Sequence, residues 1–303
     1  MDGMRVMHTV DNVVFYLKEQ HDFRWLEELG CVFAVFDQQD SGNISFGVEK
    51  DEQRAFVKYA GARPPHYQGE PGEAIAVLRE ASALYEELMH PHLIRLLHHG
   101  EAGAGYAAVF EWFDGETLHP HATFPPPAKH THPDSPYYRF RALPVERRLH
   151  ALDCLFDFHV HAETNGYVAV DFYDGSILYD FKHHITCICD IDLYRKKPFV
   201  NTMGRLWGSS RFMAPEEFEL GADIDSLTNV FTMGAVAFGL LGGERDRSPA
   251  KWDAGEALHA VALRAVSEDR SARYSSVREF VAAWEEAKRS LGTSSSRGKR
   301  WPP

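Results

Sequence analysis

The hydrophobic period of this chain changes once, across a proline- and histidine-rich break, and few folds tolerate that change. Before the break, the runs CVFAVFDQ, NISFGVEK and RAFVKYAG are rich in Val, Phe and Ile and are separated by QDSG and DEQ. Short runs of that kind, punctuated by turn residues, predict an antiparallel three-strand meander. Residues 63–72, RPPHYQGEPG, hold too much Pro and Gly for regular structure, whereas 73–89, EAIAVLREASALYEELM, is an amphipathic helix of good formers. LIRLLHHGEA and GYAAVFEWF predict further strands. The break itself, HPHATFPPPAKHTHPDSP between Asp114 and Leu143, keeps neither period and reads as a connection between two lobes. Beyond it the spacing is mostly helical, at VERRLHALDCLFDFHVHA, IDSLTNVFTMGAVAFGLLGG, AGEALHAVALRAV and SVREFVAAWEEAKRSL, interrupted by the strand-like SILYDF and ITCICDI.

The two ends read differently. Residues 11–29, DNVVFYLKEQHDFRWLEEL, space their apolar members at helical intervals and stop before Gly30, which predicts a lead-in helix. LGTSSSRGKRWPP is polar and breaker-rich and predicts disorder. The expectation is an α+β chain with a helical extension over 1–29, a strand-rich lobe with one prominent helix over 30–113, a connection over 114–146, a helical lobe over 147–290 and a disordered tail over 291–303.

Composition narrows the partners. Acidic residues outnumber basic ones 44 to 32, for a formal charge of −12. A surface with that balance repels a phosphate backbone, so nucleic acid is not expected as a partner. Four cysteines (Cys31, Cys154, Cys187, Cys189) are too few for a disulfide-stapled fold and point to a reducing cytoplasm. The opening MDGMRVMHTV lacks the basic head and apolar stretch of a signal peptide, and no run of about 18 apolar residues predicts a membrane segment. His119, His121, His130 and His132 lie in the flexible connection without cysteines or fixed ligand spacing, so no metal is expected there. Cys187 and Cys189 alternate about Ile188 and read as buried spacers beside Asp190.

The most specific signal lies in the second half, where GSSRFMAPEEF at 208–218, TNVFTMGAVAFGLLGG at 228–243 and EDRSARYSSVREF at 268–280 occur in that order. In these motifs the chain resembles the eukaryotic-type protein kinase family, as a divergent, bacterial-like member. That family's C-terminal lobe has an Ala-Pro-Glu element, a buried helix and a late arginine in the same sequence. The resemblance covers roughly residues 30–288. It implies a two-lobed fold, with a β-rich N-lobe holding one main helix, a helical C-lobe, and nucleotide in the cleft between them. It also implies that Glu216 and Arg273 pair as a structural lock, since a buried pair is costly to break from one side.

YVAVDFYDGSILYD at 167–180 matches the family's catalytic loop, and CDIDLYR at 189–195 its metal-binding loop. Phosphoryl transfer needs one carboxylate to orient the attacking hydroxyl and another to hold the divalent ion that neutralises the phosphates. The resemblance gives Asp171 the first role and Asp190 the second, with Mg²⁺ as the ion and Ser176 at the second metal position. In AFVKYA, Lys58 matches the residue that grips the α- and β-phosphates of ATP. Glu80, in the helix ahead of HPHLIRLL, is the implied ion-pair partner, with Glu86 or Glu87 as fallbacks. The implied hinge is Phe110-Glu111-Trp112-Phe113, whose backbone meets the adenine while Phe110 closes the pocket and Val57 and Leu178 supply its walls.

Several positions depart from the family. Asp37 and Gln39 stand where the first two glycines of the phosphate loop belong, and only Gly42 survives, which weakens the backbone cradle. Ala169 and Val170 replace His-Arg, and Tyr173 replaces a phosphate-contacting lysine. Ser176 replaces the metal-binding asparagine, with Asp174 able to compensate by charge. Asp192 replaces a glycine, and Asn229 the aspartate that anchors the catalytic loop. The missing arginine at 170 predicts no cation for a phosphate on Thr202, Ser209 or Ser210.

These residues point to ATP-dependent phosphoryl transfer to a serine or threonine of a protein, the Ala-Pro-Glu element and Arg273 favouring a protein acceptor. Two alternatives stand beside it. One is a pseudokinase that scaffolds or regulates a partner; the other is a small-molecule phosphotransferase or nucleotidyl transferase on the same fold.

Overall fold

In a computed structural model, which describes residues 5–38 and 41–295, the chain divides after Asp114 into two compact units of mixed α and β structure. The first unit opens with a β-hairpin, β1 (Val6–Val10) and β2 (Val13–Leu17), where the sequence predicted a helix. The hairpin closes on the pair Val10 and Val13, so Asp11-Asn12 is a two-residue turn, with Asp11 at φ 50°. Such turns need left-handed backbone, which Asp and Asn tolerate. Only a 3₁₀ turn over Arg24–Glu28 is helical in this stretch. The three runs of the predicted meander are β3 (Cys31–Phe36), β4 (Asn43–Lys50) and β5 (Gln53–Ala60), and the next two are β6 (Leu96–Ala102) and β7 (Gly105–Glu111). They form one antiparallel sheet in the order β3-β4-β5-β7-β6.

The pleat gives this sheet two different faces. On one, Phe46, Val48, Val57 and Tyr59 pack with Phe15 and Leu17 of the hairpin and with Phe23 and Leu26. Burying each of these large side chains stabilises the unit by about 1.5–3 kcal/mol. The other face carries Phe56, Lys58 and Phe110, and against it lies α1 (Pro71–Glu87). Pro71 and a Glu70/Glu73 capping box start α1, which buries Ala74, Leu78, Ala81, Ser82, Leu84 and Tyr85. Tyr85 meets Phe110 edge-on, with ring centroids 4.9 Å apart.

The second unit is built around α5 (Ser226–Leu241), whose residues from Thr228 to Leu241 are all buried. A helix apolar on every side belongs inside a core. Asp225 caps it, accepting the Leu227 N–H at 2.8 Å. Around it stand α4 (Val145–Thr164), α6 (Glu256–Ala265) and α7 (Val277–Ser295), with Phe156 of α4 against Phe280 and Trp284 of α7. Helix α7 therefore runs into the predicted tail as far as Ser295, and the rest of that tail lies outside the described residues.

The Pro/His-rich stretch is ordered rather than a flexible connection. It holds β8 (Glu116–Thr117), α2 (Ala128–Thr131) and α3 (Pro136–Arg141), and Ser135 Oγ joins the two helices by donating to the Lys129 carbonyl at 2.7 Å. Strand β8 pairs with β10 (Ile177–Asp180), which pairs with β11 (Ile185–Ile188). Short pairings of β9 (Tyr167–Val168) with β12 (Arg195–Lys196), and of β13 (Phe199–Val200) with β14 (Asp223–Ile224), complete the unit. No described helix is long and apolar enough to cross a membrane.

Candidate functional site

The predicted catalytic loop leaves β9 and enters β10, and α5 anchors it from beneath. Asn229 Oδ1 accepts the Ala169 N–H at 2.9 Å while its Nδ2 donates to the Tyr167 carbonyl at 2.9 Å. An amide satisfies one donor and one acceptor at once, so the aspartate-to-asparagine change keeps the anchor. Asp171 follows, half-buried, with φ 62°. Left-handed backbone at a non-glycine residue is strained, and it sets the side chain apart from the regular run of the strand. His159 of α4 supports the loop from behind: its ring lies 4.3 Å from that of Phe172, and its Nδ1 and Nε2 reach the Leu155 carbonyl and the Tyr194 hydroxyl.

Ser176 is buried and turned inward, its Oγ donating to the Asp171 carbonyl at 3.4 Å. Its own carbonyl accepts the Cys189 N–H at 3.0 Å, one residue before Asp190. One serine thus ties the two loops together, a structural role in place of the expected metal position. Asp190 is exposed just past β11, and its Oδ1 accepts the Asp192 N–H at 3.3 Å. Cys187 is buried and Cys189 half-buried, and neither is in a disulfide. Leu178 is half-buried on β10, opposite Thr117 and Cys187.

Asp174 does not back up Ser176 as a ligand, because its carboxylate is already saturated. It is 1% exposed and accepts Lys129 Nζ at 2.5 Å and both Arg211 Nη groups at 2.8 Å. Lys129 and Arg211 also donate to Glu244 Oε1, at 2.8 and 2.6 Å. Burial pushes the Asp174 carboxyl up, but the Arg211 hydrogen bonds and the Lys129 charge outweigh it and hold the group well below the usual carboxylate range. His119 Nδ1 lies 2.9 Å from Arg211 Nη2 and 3.2 Å from Asp174 Oδ1, so the imidazole joins the same cluster, while its buried Nε2 has no partner among the described residues. Sequence reading missed Lys129, Arg211, Glu244 and His119 as a group. Among the described residues no cluster of three or more His, Cys, Asp or Glu is arranged for a metal.

Of the two expected metal positions, Ser176 is turned inward and Asp190 is an exposed carboxylate. A Mg²⁺ ion keeps most of its waters and takes one or two protein carboxylates plus phosphate oxygens, and an exposed carboxylate such as Asp190 is a donor of that chemical type.

The structural lock forms as expected. Arg273 donates to Glu216 Oε1 at 2.7 Å and Oε2 at 3.1 Å, both residues are buried, and Arg270 and Thr228 also reach Glu216. Next to it the buried Glu217 accepts the Ala214 N–H at 2.6 Å and lines, with Asp171, Ser209 and Thr232, a small interior space of the unit. Arg245 donates to Ser210 Oγ at 2.6 Å, so a cation does stand at that serine, supplied from beyond α5.

In the first unit Lys58 is buried on β5 between Ser45 and Ala108 of its neighbours. Glu80 is exposed on α1 and has no ion pair among the described residues, because the inward stripe of α1 passes through Leu78, Ala81 and Ser82 instead. Of the fallbacks, Glu86 lies 3.2 Å from His99 Nε2, and Glu87 is exposed. Val57 is a core residue on the hairpin side: strand alternation turns it away from the Lys58 face, so it cannot wall a pocket there. Gly42 has φ 85°, and a Cβ on it would lie 2.7 Å from Ala74 and 2.8 Å from the Tyr67 ring, so its smallness serves packing under Tyr67. Gln39 lies outside the described residues. In the predicted hinge, Phe110 is buried, and the Glu111 and Trp112 amides are taken by the Arg95 and Arg54 carbonyls. The half-buried Phe113 has an amide with no partner among the described residues.

No family model matches the chain, and no curated protein matches it.

Proposed function

We propose that the chain is a protein-kinase-like phosphotransferase that moves the γ-phosphoryl group of ATP to a serine or threonine hydroxyl of a protein. The observation that carries this reading is the coupling of Asp171 and Asp190 through Ser176 in one unit, with Asp171 in left-handed backbone and Asp190 exposed. On this reading Asp171 orients the acceptor hydroxyl and takes its proton, Asp190 holds Mg²⁺, and Lys58 grips the nucleotide phosphates. When bound, Mg²⁺ neutralises charge developing on the transferred group. The Phe113 amide, without a partner among the described residues, is the hinge donor this reading offers an adenine ring, and the Glu216–Arg273 lock is consistent with a protein acceptor.

One observation favours a second reading, a nucleotide-binding scaffold: Asp174 is saturated and Ser176 turned inward, which leaves a single carboxylate for metal.

A thermal-shift titration with ATP, with and without Mg²⁺, followed by product analysis, separates the readings. Phosphoryl transfer predicts a Mg²⁺-dependent rise in Tm and formation of ADP. Asp171→Ala is expected to keep the shift and lose roughly 10²- to 10⁴-fold in kcat. A shift without ADP favours the scaffold, pyrophosphate release means nucleotidyl transfer, and full activity in Asp171→Ala removes the role given to Asp171.

A further inference from the structure

We propose that Lys129, from the Pro/His-rich stretch, is a positioning residue for the two loops that carry Asp171 and Asp190. The catalytic task of those loops rests on the phosphotransferase reading; the positioning does not.

The lysine is 1% exposed along its side chain, and its ammonium is shared by Asp174 Oδ2 and Glu244 Oε1 while lying 3.9 Å over the Tyr137 ring. Its backbone is held as well, the N–H by the Pro125 carbonyl and the carbonyl by Ser135 Oγ. A buried ammonium is costly unless it is paired and hydrogen-bonded, and here the ammonium donates to the carboxylates of Asp174 and Glu244. Glu244 is itself held at φ 57°, strained backbone that brings its carboxylate to Lys129 and Arg211.

From Asp174 the constraint passes both ways along covalent and hydrogen-bonded links. Asp174 begins the 3₁₀ turn that ends at Ser176. Ser176 Oγ holds the Asp171 carbonyl, and the Ser176 carbonyl holds the Cys189 N–H beside Asp190. Thr117 Oγ1 fixes the Gly175 carbonyl between them at 3.1 Å. A shift of Asp174 therefore moves both loops. Arg211 grips the same carboxylate, but it belongs to the segment from Gly208 that packs against Asp171 directly, with a Cβ on Gly208 falling 3.5 Å from Asp171 Cα. Lys129 comes from outside both loops and bonds to Asp174 and to Glu244, which Arg211 shares, so its variants report on positioning through this carboxylate pair.

The test compares Lys129→Met, which keeps the stem and removes the charge, with Lys129→Arg, which restores a cation, both in the full chain. Amide hydrogen exchange is read at residues 174–176 and 189–192 against α5. In Lys129→Met the two loops are expected to exchange about tenfold faster or more while α5 changes by less than about threefold, and Lys129→Arg to recover most of the protection. Where the wild type forms ADP, Lys129→Met should also lower kcat roughly 10- to 100-fold with the KM for ATP nearly unchanged. Loops that stay as protected as in the wild type, or that loosen only in step with α5, overturn the proposal, as does a rise in KM with kcat intact. Should Lys129→Met not fold, Glu244→Gln removes the charge that Lys129 and Arg211 share on the other side of the cluster, and the same loop-selective exchange is required of it. A wild type that makes no ADP defeats the phosphotransferase reading alone, and the exchange comparison still decides the positioning.

Discussion

The Glu217 carboxyl is 2% exposed beside Asp171, and burial pushes it up to about 8 against the one hydrogen bond from Ala214. The native chain therefore keeps this proton at a pH where the unfolded chain has released it. Stability contributed by the neutral form is full below the unfolded value near 4.5 and is lost as pH rises toward 8. Across that window one such group costs about 1.4 kcal/mol per pH unit. Glu217→Gln, which can keep the acceptor for Ala214, is expected to flatten the fall in urea midpoint between pH 5.5 and 8, roughly the span of those two values; an unchanged slope would show that Glu217 is ionised in the native state. Asp174 works in the opposite direction, its lowered carboxyl losing stability only as pH falls below the usual carboxylate range, so the two effects fall in separate limbs. Asn229 offers a second test at this scale. Asn229→Asp replaces the Nδ2 donor with an oxygen facing the Tyr167 carbonyl, and is expected to destabilise by about 1–3 kcal/mol in denaturant unfolding, although an aspartate is the residue the family resemblance leads one to expect there.

At the scale of elements, the hairpin β1–β2 carries more of the first unit's core than its sequence suggests. Phe15 is 1% exposed and meets Phe23 and Phe46 edge-on. Phe15→Ala is expected to cost about 3–5 kcal/mol by urea unfolding, whereas Tyr16→Ala, on the exposed face of the same strand, should change little. The strands of the main sheet and the long helices were legible because their periods are local. The hairpin was not, because the unbroken apolar run from Val13 to Leu17 fits helix and strand equally and only the Asp11-Asn12 turn discriminates. The Pro/His stretch was illegible for another reason: its order comes from Lys129 meeting Asp174 and Glu244, partners far away in sequence that leave no periodic trace. Glu216 and Arg273 are just as distant, yet the motif order pointed to them, while Glu80 and Val57 show that carrying a motif onto a position does not fix which way its side chain turns.

For the whole molecule, the decisive property is that each unit closes its own core. In the first, the cluster from Phe15 to Val109 draws on the hairpin, the 3₁₀ turn and four strands of the sheet, and α1 covers the opposite face through Tyr85 and Phe110. All of these residues precede the division after Asp114, close to the boundary at 113 expected from the composition shift. A domain of that size buries enough apolar surface to fold unaided. A fragment ending at Asp114 is therefore expected to unfold in urea as one cooperative transition, with coincident fluorescence and circular dichroism midpoints. Phe15→Ala should shift that midpoint in the fragment by the same free energy as in the full chain, because the contacts it removes all lie before Asp114. A broad transition, or a Phe15→Ala effect that vanishes in the fragment, would mean that the sheet depends on residues after Asp114 for its packing, and the hairpin would then be a consequence of the fold rather than part of what holds it.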